Sequence, residues 1–194
     1  MLPSGDAIQP KDREELRTWL SQNFGRKAGL WLIYRKKIAG VRALSYDEIV
    51  EECLCFGWVD SKPNALDAEK AMLWIAPRKP GTNWSKKNKQ RIENLIQSGR
   101  MAEPGLAKVR QAQADGSWTA LDEVENLVVP DDLRLALHGY PQASGYFEAF
   151  PRSVKRAILE WIQNAKTPST RQKRIDETAR SAQDNVRANQ WRQP

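Results

Sequence analysis

The chain has 194 residues and a formal net charge of +7, with 31 Lys and Arg against 24 Asp and Glu. Hydrophobic residues make up 40% of it, which suits one folded domain or two small ones and excludes a wholly disordered chain. The only two cysteines, Cys53 and Cys55, are two residues apart, which argues against a disulfide framework and a zinc site. The single histidine excludes a histidine-rich metal site.

The N-terminal ten residues lack the charged and apolar regions of a secretory signal. The sequence also contains no apolar run near the roughly 20 residues that cross a bilayer as a helix. We therefore expect a protein without a membrane span, located in the reducing cytoplasm.

Helical and strand patterns alternate through the first two-thirds of the chain. Capping residues followed by apolar positions three and four apart predict helices, and short apolar runs predict strands. The predicted helices cover 12–24, 45–56, 85–98 and 104–115, and the predicted strands cover 30–34, 58–62 and 71–76. The last two strands are expected to form an antiparallel pair.

The remainder of the chain has only helical patterns after Pro130. Helices are predicted over 131–138, 142–149, 152–165 and 170–188, and the third of these has a strongly apolar face. The predicted fold class is α+β: a small, mostly antiparallel sheet packed with helices, followed by an all-helical C-terminal part. We place the domains at residues 1–126 and 127–194.

Charge is distributed unevenly along the chain. Residues 44–70 contain seven acids and two bases, residues 78–91 contain six bases and no acid, and residues 151–194 contain ten bases and four acids. The two basic segments are candidates for binding an anion.

Three segments stand in a specific order: CFGWVDSK at 55–62, APRKPGTNWSKKNKQR at 76–91 and WIQNAKTPSTRQKRI at 161–175, with GRM at 99–101. Together they resemble the YdeI/OmpD-associated family, also called the bacteriocin-protection family, over roughly residues 12–182. Ser61 departs from the glycine usual there, and the usual ending is absent after Ala182. The resemblance implies a soluble bacterial protein that protects against bacteriocins or membrane-active peptides, and it implies no catalytic residue.

The loop before the third predicted helix is the first candidate site. A helix N-terminus offers unpaired N–H groups to an anion, lysines add positive field, and a tryptophan offers a plane for stacking. The residues concerned are Arg78, Lys79, Trp84, Ser85 and Asn88. In the alternative interpretation Trp84 packs inside the protein, Ser85 only caps the helix, and the lysines are merely solvated.

Arg171 and Arg174 lie one helical turn apart and could clamp a phosphate or carboxylate. The alternative is internal pairing, for which we consider the acidic helix that carries Glu48, Glu51 and Glu52. We favour the internal pairing.

Cys55, Trp58 and Asp60 could line a small pocket. Helical geometry predicts that Cys55 points away from the core stripe of Ile49 and Cys53, beside acids that would suppress its thiolate. We favour a small packed residue near the end of the helix over a catalytic or sensing thiol. Asp60 is expected to pair with an arginine such as Arg78, because a buried charge normally has a partner.

The first functional hypothesis is a non-enzymatic protein that supports protection against bacteriocins, antimicrobial peptides or envelope stress by binding an anionic ligand or partner. It implies no cofactor and no metal. One alternative is a nucleic-acid-binding module that uses residues 78–91 and the C-terminal helix, and a second is a small-substrate enzyme around Cys55, Trp58 and Asp60. A further alternative is capture of cationic peptides by Glu48, Glu51 and Glu52.

Overall fold

The computed structural model describes residues 5–36, 43–61 and 63–189. Lys62, the last residue of the CFGWVDSK segment, lies outside this description. The chain divides between Ala120 and Leu121 into two compact units, here called the N-terminal and the C-terminal unit. The domain boundary after residue 126 stays a prediction.

The N-terminal unit contains a mixed sheet. Its strands are β1 (Ala7–Ile8), β2 (Leu30–Arg35), β3 (Trp58–Asp60), β4 (Asn64–Ala65) and β5 (Lys70–Pro77). Central β5 pairs antiparallel with β2, β3 and β4, whereas β1 pairs parallel with β2. The mostly antiparallel sheet is confirmed. Strands β1 and β4 are not predicted by the sequence pattern, because two residues are too few to display a period of two.

The described residues of the N-terminal unit form four helices, and the first three begin as their capping residues predict. They are α1 (Arg13–Asn23), α2 (Tyr46–Cys55), α3 (Lys86–Gln97) and α4 (Glu103–Ala114). The Asp12 carboxylate accepts from the Glu15 N–H at 2.9 Å, and Ser45 with Glu48 forms a complete capping box at the start of α2. Side chains thus satisfy backbone donors that have no partner within the helix.

The core of the N-terminal unit lies between the sheet and its helices. Leu73 and Ile75 alternate along β5 with half-buried residues and are fully buried, as are Leu16 of α1 and Ile49 of α2. Helix α4 approaches α2 so closely that a Cβ on Gly105 would lie 2.3 Å from the Cys55 carbonyl oxygen. Only glycine allows this approach.

The regular elements of the C-terminal unit, within its described residues, are all helices joined by short loops. Its helices are α5 (Asp122–Glu125), α6 (Asp131–His138), α7 (Ala143–Ala149), α8 (Arg152–Gln163) and α9 (Pro168–Gln183). The apolar face predicted for α8 is confirmed, since Val154, Ile158 and Ile162 are buried in one cluster with residues of α9. Pro130 occupies the N-cap of α6, so Asp131 and Asp132 lie in the first turn of the helix.

Within the described ranges, none of the helices combines the length and the apolar character that a membrane crossing requires.

Candidate functional site

Arg78 is turned into the protein rather than toward solvent. Only 6% of it is exposed, and its guanidinium carbon lies 3.6 Å from the centre of the Trp84 ring. The guanidinium also donates a hydrogen bond to the Asn83 carbonyl oxygen. Burial lowers the pKa of Arg78 to about 10, which leaves it charged at neutral pH. Arg78 therefore holds the loop in shape through internal contacts, and binding of an anion by Arg78 stays a prediction.

Trp84 is also buried, with 2% of its surface exposed. Its ring lies 5.1 Å from that of Trp118, at an angle of 52°. The prediction that Trp84 presents a plane for stacking does not agree with this burial. The interpretation in which it packs inside the protein does, because large aromatic rings gain most from leaving water.

The N-terminus of α3 is capped by its own side chains. The Ser85 hydroxyl accepts from the Asn88 N–H at 3.3 Å, and Arg91 donates to the Asn88 amide oxygen at 3.0 Å. This cap removes part of the donor capacity that an anion would use there. Ser85 and Asn88 therefore have structural roles in this structure.

Four lysines of the basic loop and the first turn of α3 remain at least partly accessible to solvent. We call Lys79, Lys86, Lys87 and Lys89 the lysine segment. Lys87 is 71% exposed and lies 3.5 Å from Asp47, and the Lys89 ammonium lies 5.5 Å from the centre of the Trp118 ring. An exposed ion pair such as Lys87–Asp47 is weak, so it competes little with an external anion.

The two arginines considered for the C-terminal clamp both have internal partners. The Arg171 guanidinium donates to both oxygens of Asp132, at 2.7 and 3.0 Å. The Arg174 guanidinium donates to the Trp161 carbonyl oxygen and lies 5.0 Å from the Trp161 ring. Internal pairing was favoured, but the acid is Asp132 of α6 rather than an acid of α2.

Cys55 is fully buried, which agrees with the favoured interpretation of a small packed residue, although helical geometry places it opposite the core stripe of Ile49 and Cys53. Helical periodicity could not show that α4 covers the other side of α2 at this point. Burial raises the pKa of the Cys55 thiol, and the charge of Glu52 raises it further, although Arg17 opposes both. The protonated thiol is a poor nucleophile.

Trp58 is fully buried as well. The hydrogen-bond partner of Asp60 is Tyr46 rather than the predicted arginine. The Tyr46 hydroxyl donates to the Asp60 carboxylate at 2.6 Å, while the charge of Asp60 supports the protonated form of Arg78. Because Cys55 and Trp58 have no exposed surface, the three residues do not form an open pocket in this structure.

A buried cluster of charged side chains around Glu52 in the N-terminal unit was not predicted from the sequence. The Glu52 carboxylate is completely buried and binds three guanidiniums: Arg13 at 2.6 Å, Arg17 at 2.8 Å and Arg100 at 2.7 Å. Two sequence signals could have revealed it. Arg13 and Arg17 are one turn apart on α1, and Glu52 follows Ile49 by three residues on the buried face of α2.

The acidic side chains of α2, including Glu52 of this cluster, have partners within the N-terminal unit. Glu52 is bound by arginines, Glu51 lies 2.9 Å from Arg13, and Glu48 accepts from the Ser45 N–H in the capping box. The acids are thus used inside the N-terminal unit. Capture of cationic peptides by these three glutamates does not agree with this arrangement.

Two family models match the chain, one in each unit. Residues 126–185 match the model described as "Bacteriocin-protection, YdeI or OmpD-Associated". This match covers most of the C-terminal unit but less than half of the chain. Residues 8–108 match a model described as a domain of unknown function (DUF8412). Comparison with curated proteins and with solved structures gives no match.

The matches confirm the resemblance and change its extent. Of the segments that suggested it, only 161–175 falls within the YdeI/OmpD-associated match, whereas 55–62, 76–91 and 99–101 fall within 8–108. The lysine segment and the Glu52 cluster therefore lie in the part of the chain matched by the other model.

Proposed function

We propose that this protein, whose residues 126–185 match the YdeI/OmpD-associated family, supports protection against bacteriocins and related antimicrobial peptides by binding an anionic partner. The family match suggests the protective role. The anionic partner is inferred from the distribution of charge, and binding is proposed rather than catalysis because Cys55 and Trp58 are inaccessible.

The observation that carries the proposal is the location of the excess positive charge. Residues 1–120 contain 20 Lys and Arg against 14 Asp and Glu, while residues 121–194 contain 11 against 10. In the C-terminal unit, Arg171 is paired with Asp132, and Arg156 binds Glu125 at 2.8 Å. The N-terminal unit thus has the excess, and its lysine segment extends into solvent.

Nucleic acid is the second candidate partner, supported by four lysines within eleven residues. With Trp84 buried and both C-terminal arginines engaged, contact would be with phosphates rather than with bases. Such binding is independent of base sequence and falls steeply with salt.

Both candidates can be tested by fluorescence anisotropy with two labelled probes, a single-stranded oligothymidylate and polyglutamate. The lysine variant replaces Lys79, Lys86, Lys87 and Lys89 with Gln. The control variant replaces Lys166, Lys173, Arg180 and Arg187 with Gln, which removes the same charge from exposed positions of the C-terminal unit. If all four lysines contact phosphates, oligothymidylate affinity should fall about 50-fold between 50 and 200 mM salt.

The expected result is binding by the wild type and the control variant and loss of binding in the lysine variant. Binding of oligothymidylate alone would favour nucleic acid, and binding of polyglutamate would favour an acidic protein partner. Equal binding by both variants, or no binding of either probe at low salt, would contradict the proposal.

A cytoplasmic location is part of the proposal. Cys53 and Cys55 are free and buried, a state that suits a reducing compartment. Fractionation of cells should recover the protein with cytoplasmic markers, and recovery with periplasmic markers would refute this part.

A further inference from the structure

A cavity of about 270 Å³ lies at the end of β2, away from the lysine segment in sequence. Residues 9–11, Tyr34, Arg35, Ala43 and Leu44 line it. Its size is close to the lower end of the range for small-molecule sites.

The cavity exists because β1 is shorter than β2. The parallel ladder ends at Ile8, which is opposite Leu32, while β2 continues to Arg35. Pro10 has no N–H group and so does not extend the ladder. The Trp31 N–H donates to the Asp6 carbonyl oxygen on this edge, and the alternation of the strand directs the Arg35 N–H to the same edge.

The charges that line the cavity are positive. Lys11 and Arg35 are among the lining residues, and no Asp or Glu of the described chain is. Arg35 is directly opposite Lys70 in the β2–β5 pair, an unfavourable placement of like charges. The Asp67 carboxylate accepts from the backbone N–H groups of Glu69 and Lys70, at 2.8 and 2.7 Å, and Asp67 is not among the lining residues.

The rest of the lining is mostly apolar, with the Gln9 amide and the Tyr34 hydroxyl as its polar side-chain groups. Pro10 and Leu44 are apolar, and Tyr34 packs against the core. Burial raises the pKa of the Tyr34 hydroxyl, which keeps it protonated as a hydrogen-bond donor at neutral pH.

We propose that this cavity binds a small organic carboxylate, whose charge is held by Lys11 and Arg35 and whose apolar body packs against Pro10, Tyr34 and Leu44. The guanidinium fork of an arginine matches the two oxygens of a carboxylate. The volume admits a body about the size of one ring. This site is separate from the proposed function, since it uses none of the lysine segment.

Isothermal titration of the full chain with benzoate tests the proposal. Benzyl alcohol provides the ring without the charge, acetate provides the charge without the ring, and phenyl phosphate provides a different anionic head. Benzoate is expected to bind with a Kd of about 1 mM or below. Acetate and benzyl alcohol should each bind at least about tenfold more weakly, because each loses one set of contacts.

Arg35→Gln and Lys11→Gln each remove one lining charge at an exposed position, so loss of the fold is not expected. The matched control is Lys27→Gln, an exposed lysine of the same unit that is not among the lining residues. We expect Arg35→Gln to weaken benzoate binding at least about tenfold, with Lys27→Gln unchanged.

Three results would overturn the proposal: no heat of benzoate binding, equal affinity in Arg35→Gln and Lys27→Gln, or tighter binding of phenyl phosphate than of benzoate. The variant of the lysine segment should retain benzoate binding. Failure of the polyanion experiment would therefore leave this site intact, and failure here would leave the polyanion proposal intact.

Discussion

Replacing Glu52 with Gln should destabilise the N-terminal unit strongly. Glu52 has no exposed surface and accepts hydrogen bonds from Arg13, Arg17 and Arg100. The amide keeps the volume of the side chain but removes the only fully buried negative charge of the cluster. Three guanidiniums would then face one another with reduced compensation.

The size of the effect follows from burial. Removing one partner of a buried ion pair costs about 3–5 kcal/mol. Since the three arginine side chains are 20%, 27% and 34% exposed, water partly compensates them, and we take the lower end. A loss of about 3 kcal/mol corresponds to a fall in Tm of about 6–12 °C for a chain of this size.

The dependence on pH gives an independent check. Burial alone would raise the pKa of Glu52, but the guanidinium hydrogen bonds outweigh it and hold the pKa below its usual value. The contribution is therefore fully present above the unfolded pKa of about 4.3 and is lost as the pH falls through the lower folded pKa. The difference between wild type and Glu52→Gln should be constant above about pH 5 and should shrink below about pH 4.

Urea unfolding followed by tryptophan fluorescence is the assay, because six of the eight tryptophans lie in residues 1–120. Glu51→Gln is the matched control, since Glu51 is 30% exposed and has a single contact with Arg13 at 2.9 Å. It should cost less than about 1 kcal/mol. Equal destabilisation by the two variants, or a difference that does not change with pH, would refute the reasoning.

Gly105→Ala should destabilise the N-terminal unit by about 2 kcal/mol or more in urea unfolding, because its Cβ would lie 2.3 Å from the Cys55 carbonyl oxygen. Gly145→Ala, with open space at its Cβ in α7, should instead stabilise the chain by about 0.5 kcal/mol, and the same sign for both would contradict this account. In a double-mutant cycle, Arg171→Ala and Asp132→Ala should show a coupling of about 0.5–1 kcal/mol, and additive effects would contradict the ion pair. Iodoacetamide at pH 8 should leave Cys55 unmodified in the native protein and label it in urea, since the thiol is buried with a raised pKa, and rapid native labelling would contradict its burial.

Local signals predicted most of the fold. The caps at Asp12, Ser45 and Ser85 correctly place the starts of α1, α2 and α3, because capping depends on residues three positions apart. The apolar face of α8 was equally visible, since it repeats within one helix. Two-residue strands could not be predicted this way, because pairing with a distant strand defines them.

The candidate site was harder to predict, since it depends on contacts between distant segments. Sequence shows that Arg78 and Trp84 are six residues apart, but not that the arginine stacks on the ring and that both are buried. It shows an acidic α2, but the partners of Glu52 come from positions 35 to 48 residues away. Composition indicates how much charge there is, whereas packing decides how much of it remains accessible.

The central claim is that protection depends on the lysine segment, and survival under bacteriocin tests it most directly. Cells that express the wild type, the lysine variant or the control variant at equal levels would be challenged with increasing bacteriocin. The account predicts that the wild type and the control variant protect equally and that the lysine variant does not protect. Equal protection by the lysine variant would contradict it.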